Sequence, residues 1–146
     1  MLAAGDPPAA HALHGPGRFC GYSTVIDLRA DERVVTLEGS IHSGSFRWEG
    51  PWGHMTVRDS EIASPGHRKV AVERTPGGAI RLAERRDGNG YVVAIGNGRS
   101  AAAWFSNDTR FTAAQLAAID RVTLFADGQQ PERCDLRTVF VWEVEE

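Results

Sequence analysis

From residue 18 onward, apolar and polar residues alternate with a period of two over most of the chain. Successive side chains of a strand point to opposite faces, so this pattern predicts strands with one buried and one wet face. The runs begin with Phe19 to Leu28. Val34 to His42 follows, with Val35, Leu37 and Ile41 on one face and Glu38 and His42 on the other. Phe46 and Trp48 share a face in the next strand, and Met55 and Val57 share one in the strand after it. Further strands are expected over Val70 to Arg74, Ala79 to Arg86, Tyr91 to Ile95, Ala101 to Phe105, Val122 to Ala126 and Arg137 to Glu145.

The breaks between these runs carry turn chemistry. Thr75-Pro76-Gly77-Gly78 offers a preset φ and then two residues free to take φ > 0. Asp87-Gly88-Asn89-Gly90 is the strongest hairpin signal, because both dipeptides suit turns that match strand twist. Gly96-x-Gly98-x-x-Ala101 follows a strand and resembles a nucleotide-binding loop on paper. No helix-forming run follows to meet a pyrophosphate, so it reads as another hairpin.

One segment departs from the period of two. Thr112-Ala-Ala-Gln115 fits a capping box, and Phe111 with Leu116 fits a hydrophobic staple. A short α-helix is therefore expected over residues 113–120. Hairpin signals throughout and no long crossovers predict an all-β domain with mainly antiparallel sheets. A β-sandwich is the first expectation and a closed β-barrel the alternative. Residues 1–17 are rich in Ala, Gly and Pro without periodicity and read as a poorly ordered tail, leaving a single domain over 18–146.

Composition narrows function by exclusion. Apolar and charged fractions of 42% and 24% are those of a folded domain. No apolar run reaches the roughly 20 residues of a membrane-spanning helix. The basic residues are nearly all arginine, with Lys69 the only lysine, but acids interleave with them, as in Glu84-Arg85-Arg86-Asp87. Nucleic acid is not expected as a partner, because phosphate binding needs an uncompensated basic stripe.

Cys20 and Cys134 lie near the two ends of the β region, and neither has a C-x-x-C partner. They read as a structural disulfide, which points to a periplasmic or secreted protein; two reduced thiols in the cytoplasm are the alternative. Ala10-His11-Ala12 has the form of a signal-peptidase site, but what precedes it resembles neither a basic nor an apolar signal region. No signal peptide is expected in the sequence as it stands.

No motif for nucleophilic catalysis, metal or cofactor is visible, and none is expected. Asp59 and Glu61 would share a strand face about 7 Å apart, a spacing many surface strands show. His42 and His54 fall on the polar faces of their strands and could converge beside Glu38. In Gly50-Pro51-Trp52-Gly53, Trp52 lies at a turn tip, while Trp48, Trp104 and Trp142 read as core. An exposed Trp52 near Arg47, Glu49, His54 and His42 would suit a sugar ring or a protein partner. The competing expectation is that Trp52 folds back onto a neighbouring loop, such as the Arg58–Arg68 segment. The function expected is a non-catalytic binding module for a glycan or protein. The alternative is a small hydrolase or isomerase using acids and histidines on a concave sheet face.

Overall fold

The computed structural model describes residues 12–39, 42–60, 72–98, 100–125 and 129–137. They form two sheets and one helix, an all-β sandwich with no closed barrel. The strands are β1 (Ala12–His14), β2 (Gly17–Cys20), β3 (Thr24–Leu28), β4 (Arg33–Gly39), β5 (Ser43–Gly50), β6 (Gly53–Ser60), β7 (Val72–Arg74), β8 (Ile80–Leu82), β9 (Arg85–Asp87), β10 (Gly90–Gly96), β11 (Ala102–Asn107), β12 (Thr123–Leu124) and β13 (Leu136–Arg137). The helix α1 spans Ala113–Ile119. The larger sheet runs β1-β4-β5-β6-β11-β10-β8-β7, with β9 also paired to β10; the smaller runs β12-β3-β2-β13. Every pair is antiparallel except β13 with β2.

The core lies between the sheets. Phe19, Ile26 and Leu28 of the smaller sheet meet Val34, Phe46, Trp48, Met55, Val57, Val93, Ile95 and Phe105 of the larger. The expected pairings of Phe46 with Trp48 and of Met55 with Val57 are all core positions. Helix α1 closes one end, with Ala118 and Ile119 buried in the same cluster. Its capping box is present: Thr112 Oγ1 accepts from the Gln115 N–H at 3.1 Å, and Gln115 Oε1 accepts from the Thr112 N–H at 3.0 Å. The Asp87–Gly90 signal is a two-residue hairpin loop with Gly88 at φ +61. Gly96 pairs with Ala102 across a β hairpin, so the glycine-rich stretch opens no helix.

Several expectations need correction. Phe19 to Leu28 is two strands, because Gly21 N–H donates to Thr24 O at 2.8 Å and folds the run on itself. In β4 the core residue is Val34, opposite Trp48, whereas Leu37 is 48% exposed. A bulge between Thr36 and Glu38 breaks the register that simple alternation assumes. Ala12–His14, inside the expected tail, is a strand paired to Val35–Arg33, with His14 opposite Arg33. Trp104 belongs to the outer face of the larger sheet, half-buried beneath Arg58. Residues 1–11, Glu61 with the rest of 61–71, and Trp142 lie outside the described residues.

Cys20 and Cys134 form a disulfide, with Cα atoms 5.7 Å apart. It fastens the segment leading into β13 to β2. No described helix is long and apolar enough to cross a membrane.

Candidate functional site

The β5–β6 hairpin turns through Pro51 and Trp52, between the paired Gly50 and Gly53. Gly53 sits at φ +110, a conformation a side chain would resist. Trp52 is not displayed at this tip. Its ring meets Trp48 edge-on, with centroids 4.9 Å apart and planes at 75°. Its indole N–H donates to Glu32 Oε2 at 3.0 Å. The two tryptophans that strand parity separates are therefore in contact. Parity speaks only for residues inside strands, and a turn residue swings to whichever face offers partners. Among the described residues its partners are Trp48 and Glu32; most of the Arg58–Arg68 segment lies outside the described residues.

Glu32 is the centre of that contact and is 1% exposed. Arg121 binds it with both terminal nitrogens, at 2.6 and 2.8 Å, and the Arg29 N–H donates at 3.0 Å. Burial pushes the carboxyl pKa up, but the bonds from Arg121, Arg29 and Trp52 outweigh it and hold the pKa below the usual value. Every acceptor direction is in use, so the Trp52 indole N–H is committed to this node and its half-buried ring packs against Trp48.

Arg47, Glu49 and His54 are brought together on the outer face of the larger sheet. Glu49 lies opposite His54 and accepts from both Arg33 and Arg47. The bond from Arg33 leads in lowering its pKa. His42 does not join them. It precedes Ser43, which pairs with Ser60 at the far end of the hairpin. By strand rise that is about 20 Å from His54. The convergence of His42, His54 and Glu38 does not form.

Instead, His54 lines an open polar depression of about 320 Å³ at the end of the outer face. Its walls are the start of β6, the β9–β10 turn, the start of β10 and the end of β11. They contribute His54, Asp87, Asn89, Tyr91, Asn107 and Asp108, with Thr56 and Ser106 on the floor. The pieces are positioned by backbone chemistry. Gly90 lets β10 pass close to β11: a Cβ there would lie 2.4 Å from Asn107 O. Asn107 is oriented by the helix cap, its Nδ2 donating to Gln115 Oε1 at 2.8 Å. The Tyr91 ring is held by the guanidiniums of Arg86 and Arg110, at 5.3 and 5.8 Å from its centroid. Such a wall offers donors and acceptors on short side chains, with Asn107 and Tyr91 held in place. That chemistry suits a ligand dense in hydroxyl groups.

The sequence reading found His54 but missed the other walls. The Asp87–Gly90 stretch was legible as a turn. Its juxtaposition with Asn107 and Asp108 depends on the β10–β11 register, which no local pattern encodes.

Asp59 belongs to the inner face and is fully buried. Its Oδ2 accepts from the Ser23 and Thr24 N–H groups at 3.0 and 3.2 Å and from Thr24 Oγ1 at 2.8 Å. Its Oδ1 has no hydrogen-bond partner among the described residues. Burial raises its pKa above the usual carboxylate value, and the donors only partly offset this. It is a clamp between sheets, not half of an exposed catalytic pair.

Among the described residues, no three His, Cys, Asp or Glu side chains are grouped as a metal ion would require. In comparisons with family models, curated proteins and solved structures, nothing matches this chain.

Proposed function

We propose that the chain is an exported, non-catalytic module that binds a glycan at the depression lined by His54, Asp87, Asn89, Tyr91, Asn107 and Asp108. The observation that carries this is the character of those walls: carboxylates, amides and an imidazole around a polar floor at the end of the sheet. A protein-binding face would present an apolar core patch. Among the described residues the exposed large hydrophobics are Leu37 and Val72, neither of which lines the depression. The disulfide supports export, since such bonds persist in oxidising compartments.

The test is retention on an array of neutral and acidic oligosaccharides, with Asp87→Ala/Asn89→Ala as the control. Both residues are exposed, so the variant should melt like the parent while losing about tenfold or more in affinity. A blank array, or binding indifferent to the double substitution, overturns the proposal. His54 shares the depression with Asp87 and Asp108, the residue types a small hydrolase would use. Shortened oligosaccharides recovered from the array would move the assignment to that class.

A further inference from the structure

We infer that the glycan carries carboxylate groups and lies along the outer face of β6, with Arg58 reading one of its carboxylates. This rests on the glycan reading above and extends it to a substrate class.

The geometry begins with parity. His54, Thr56 and Arg58 alternate with the buried Met55 and Val57, so all three face outward. Thr56 lies opposite Ser106, and Arg58 lies opposite Trp104 on one side and Ser45 on the other. His54 to Arg58 covers about 13 Å by strand rise, the span of two to three sugar rings. The polar depression includes His54 and Thr56 at one end of this row, and a second one of about 280 Å³ lies at the Arg58 end. That one is lined by Glu38, Gly39, Ser43, Gly44, Ser45 and Arg58.

Arg58 and Arg86 are each held against an aromatic ring without a described ion pair, and of the two only Arg58 lies on β6. Arg18, Arg33, Arg47, Arg81, Arg110, Arg121 and Arg133 each pair with a carboxylate. The guanidinium of Arg58 rests 5.0 Å from the Trp104 ring centroid, and no described carboxylate pairs with it. Contact with an indole face restrains an exposed guanidinium. A planar, restrained guanidinium beside serine hydroxyls is matched by the carboxylate of a uronic acid, which can take two parallel N–H bonds. The Glu38 carboxylate in the same depression is an acceptor for sugar hydroxyls.

The experiment compares galacturonate oligomers with their methyl esters, within a wider array of neutral and uronate-bearing oligosaccharides. Esterification removes the charge and leaves the ring. The parent protein should retain uronate-bearing oligomers about tenfold more tightly than neutral ones. Arg58→Gln should abolish that preference, and Arg58→Lys should keep only part of it, because a point charge lacks the fork. Equal retention of neutral and acidic oligomers, or a preference unchanged in Arg58→Gln, overturns the carboxylate inference and leaves the glycan reading standing. An array blank for both classes overturns the two together.

Discussion

Two buried carboxylates hold the sandwich together, and they do so in opposite ways. Glu32 sits by the β5–β6 turn and Asp59 near the other end of that hairpin, opposite Gly44. Glu32 has a full guanidinium partner and donors on both oxygens, so it is held ionised. Among the described residues Asp59 has donors on one oxygen and no cation, and burial favours its neutral form. Each ties separate parts of the chain. Glu32 joins the β3–β4 loop, the hairpin tip and the segment after α1. Asp59 joins the β2–β3 turn to β6. The comparison teaches that burial alone does not decide the state of an acid; the charge of its partner does.

The sharpest way to break the contrast is to remove the cation. Arg121→Met should cost about 3 kcal/mol or more in urea unfolding, because it leaves Glu32 buried without its counter-charge. A loss below about 1 kcal/mol would mean that Glu32 simply takes up a proton and the pair is not what holds the node.

Trp52→Ala comes next. It removes the ring against Trp48 and a donor to Glu32, and should cost about 2–3 kcal/mol. Its effect on glycan retention should be small, since Trp52 is not in the outer-face track. A variant that melts like the parent yet fails to bind would restore Trp52 as a displayed contact.

At the Asp59 end, Gly44→Ala probes the packing beside the clamp. An added Cβ would lie 2.3 Å from Tyr22 Cε2, and the paired Gly39 leaves the ring no slack, with a Cβ there 2.4 Å from the Tyr22 hydroxyl. Overpacking of that kind should cost about 1–3 kcal/mol by calorimetry. An unchanged melting temperature would show that the ring leaves its slot freely.

The smallest effect at neutral pH, and the most discriminating, is Asp59→Asn. The amide keeps an acceptor oxygen for Ser23 and Thr24 and should cost under about 1 kcal/mol. Because the folded pKa of Asp59 is raised, its stabilising contribution is complete below the unfolded value near 3.9 and is lost as pH rises through the folded value. The substitution should therefore flatten the decline of stability with rising pH. Glu32 has the opposite sign. Its folded pKa is lowered, so its contribution is present above the unfolded value near 4.3 and is lost as pH falls through the folded value. Unfolding free energies measured across pH for Asp59→Asn and Glu32→Gln should diverge on opposite limbs. Parallel curves would remove the contrast.

How far local pattern reached can be judged element by element. The period of two is a property of a strand and its solvent boundary, so Phe46, Trp48, Met55 and Val57 were readable as core. The capping box of α1 was readable because its donors and acceptors lie within four residues of chain. The Asp87–Gly90 loop was readable for the same reason. Alternation failed in β4, where Val34 rather than Val35 takes the core position and a bulge at Thr36–Glu38 shifts the register, and at Gly21, where one run is two strands.

The candidate site was legible only as fragments. His54, Arg47 and Glu49 were identified from one hairpin, and they do share a face. His42 was joined to them by parity, which carries no information about distance along a strand. Trp52 was legible as a turn-tip residue, displayed or folded back, but not that its ring would meet Trp48 and Glu32, the latter twenty residues away.

The sequence by itself determined the local chemistry: which stretches extend, where they turn, where the helix starts, and that two cysteines near the ends could meet. These follow from φ/ψ preferences and hydrogen bonds within a few residues. Only the tertiary structure decided which strands are neighbours, and therefore which side chains share a wall. That choice set Arg58 over Trp104, Asn107 beside Asp87, and a guanidinium rather than nothing against a buried acid. The reason is physical: strand order and register are selected by the summed burial of the whole core, a quantity no single stretch of chain contains.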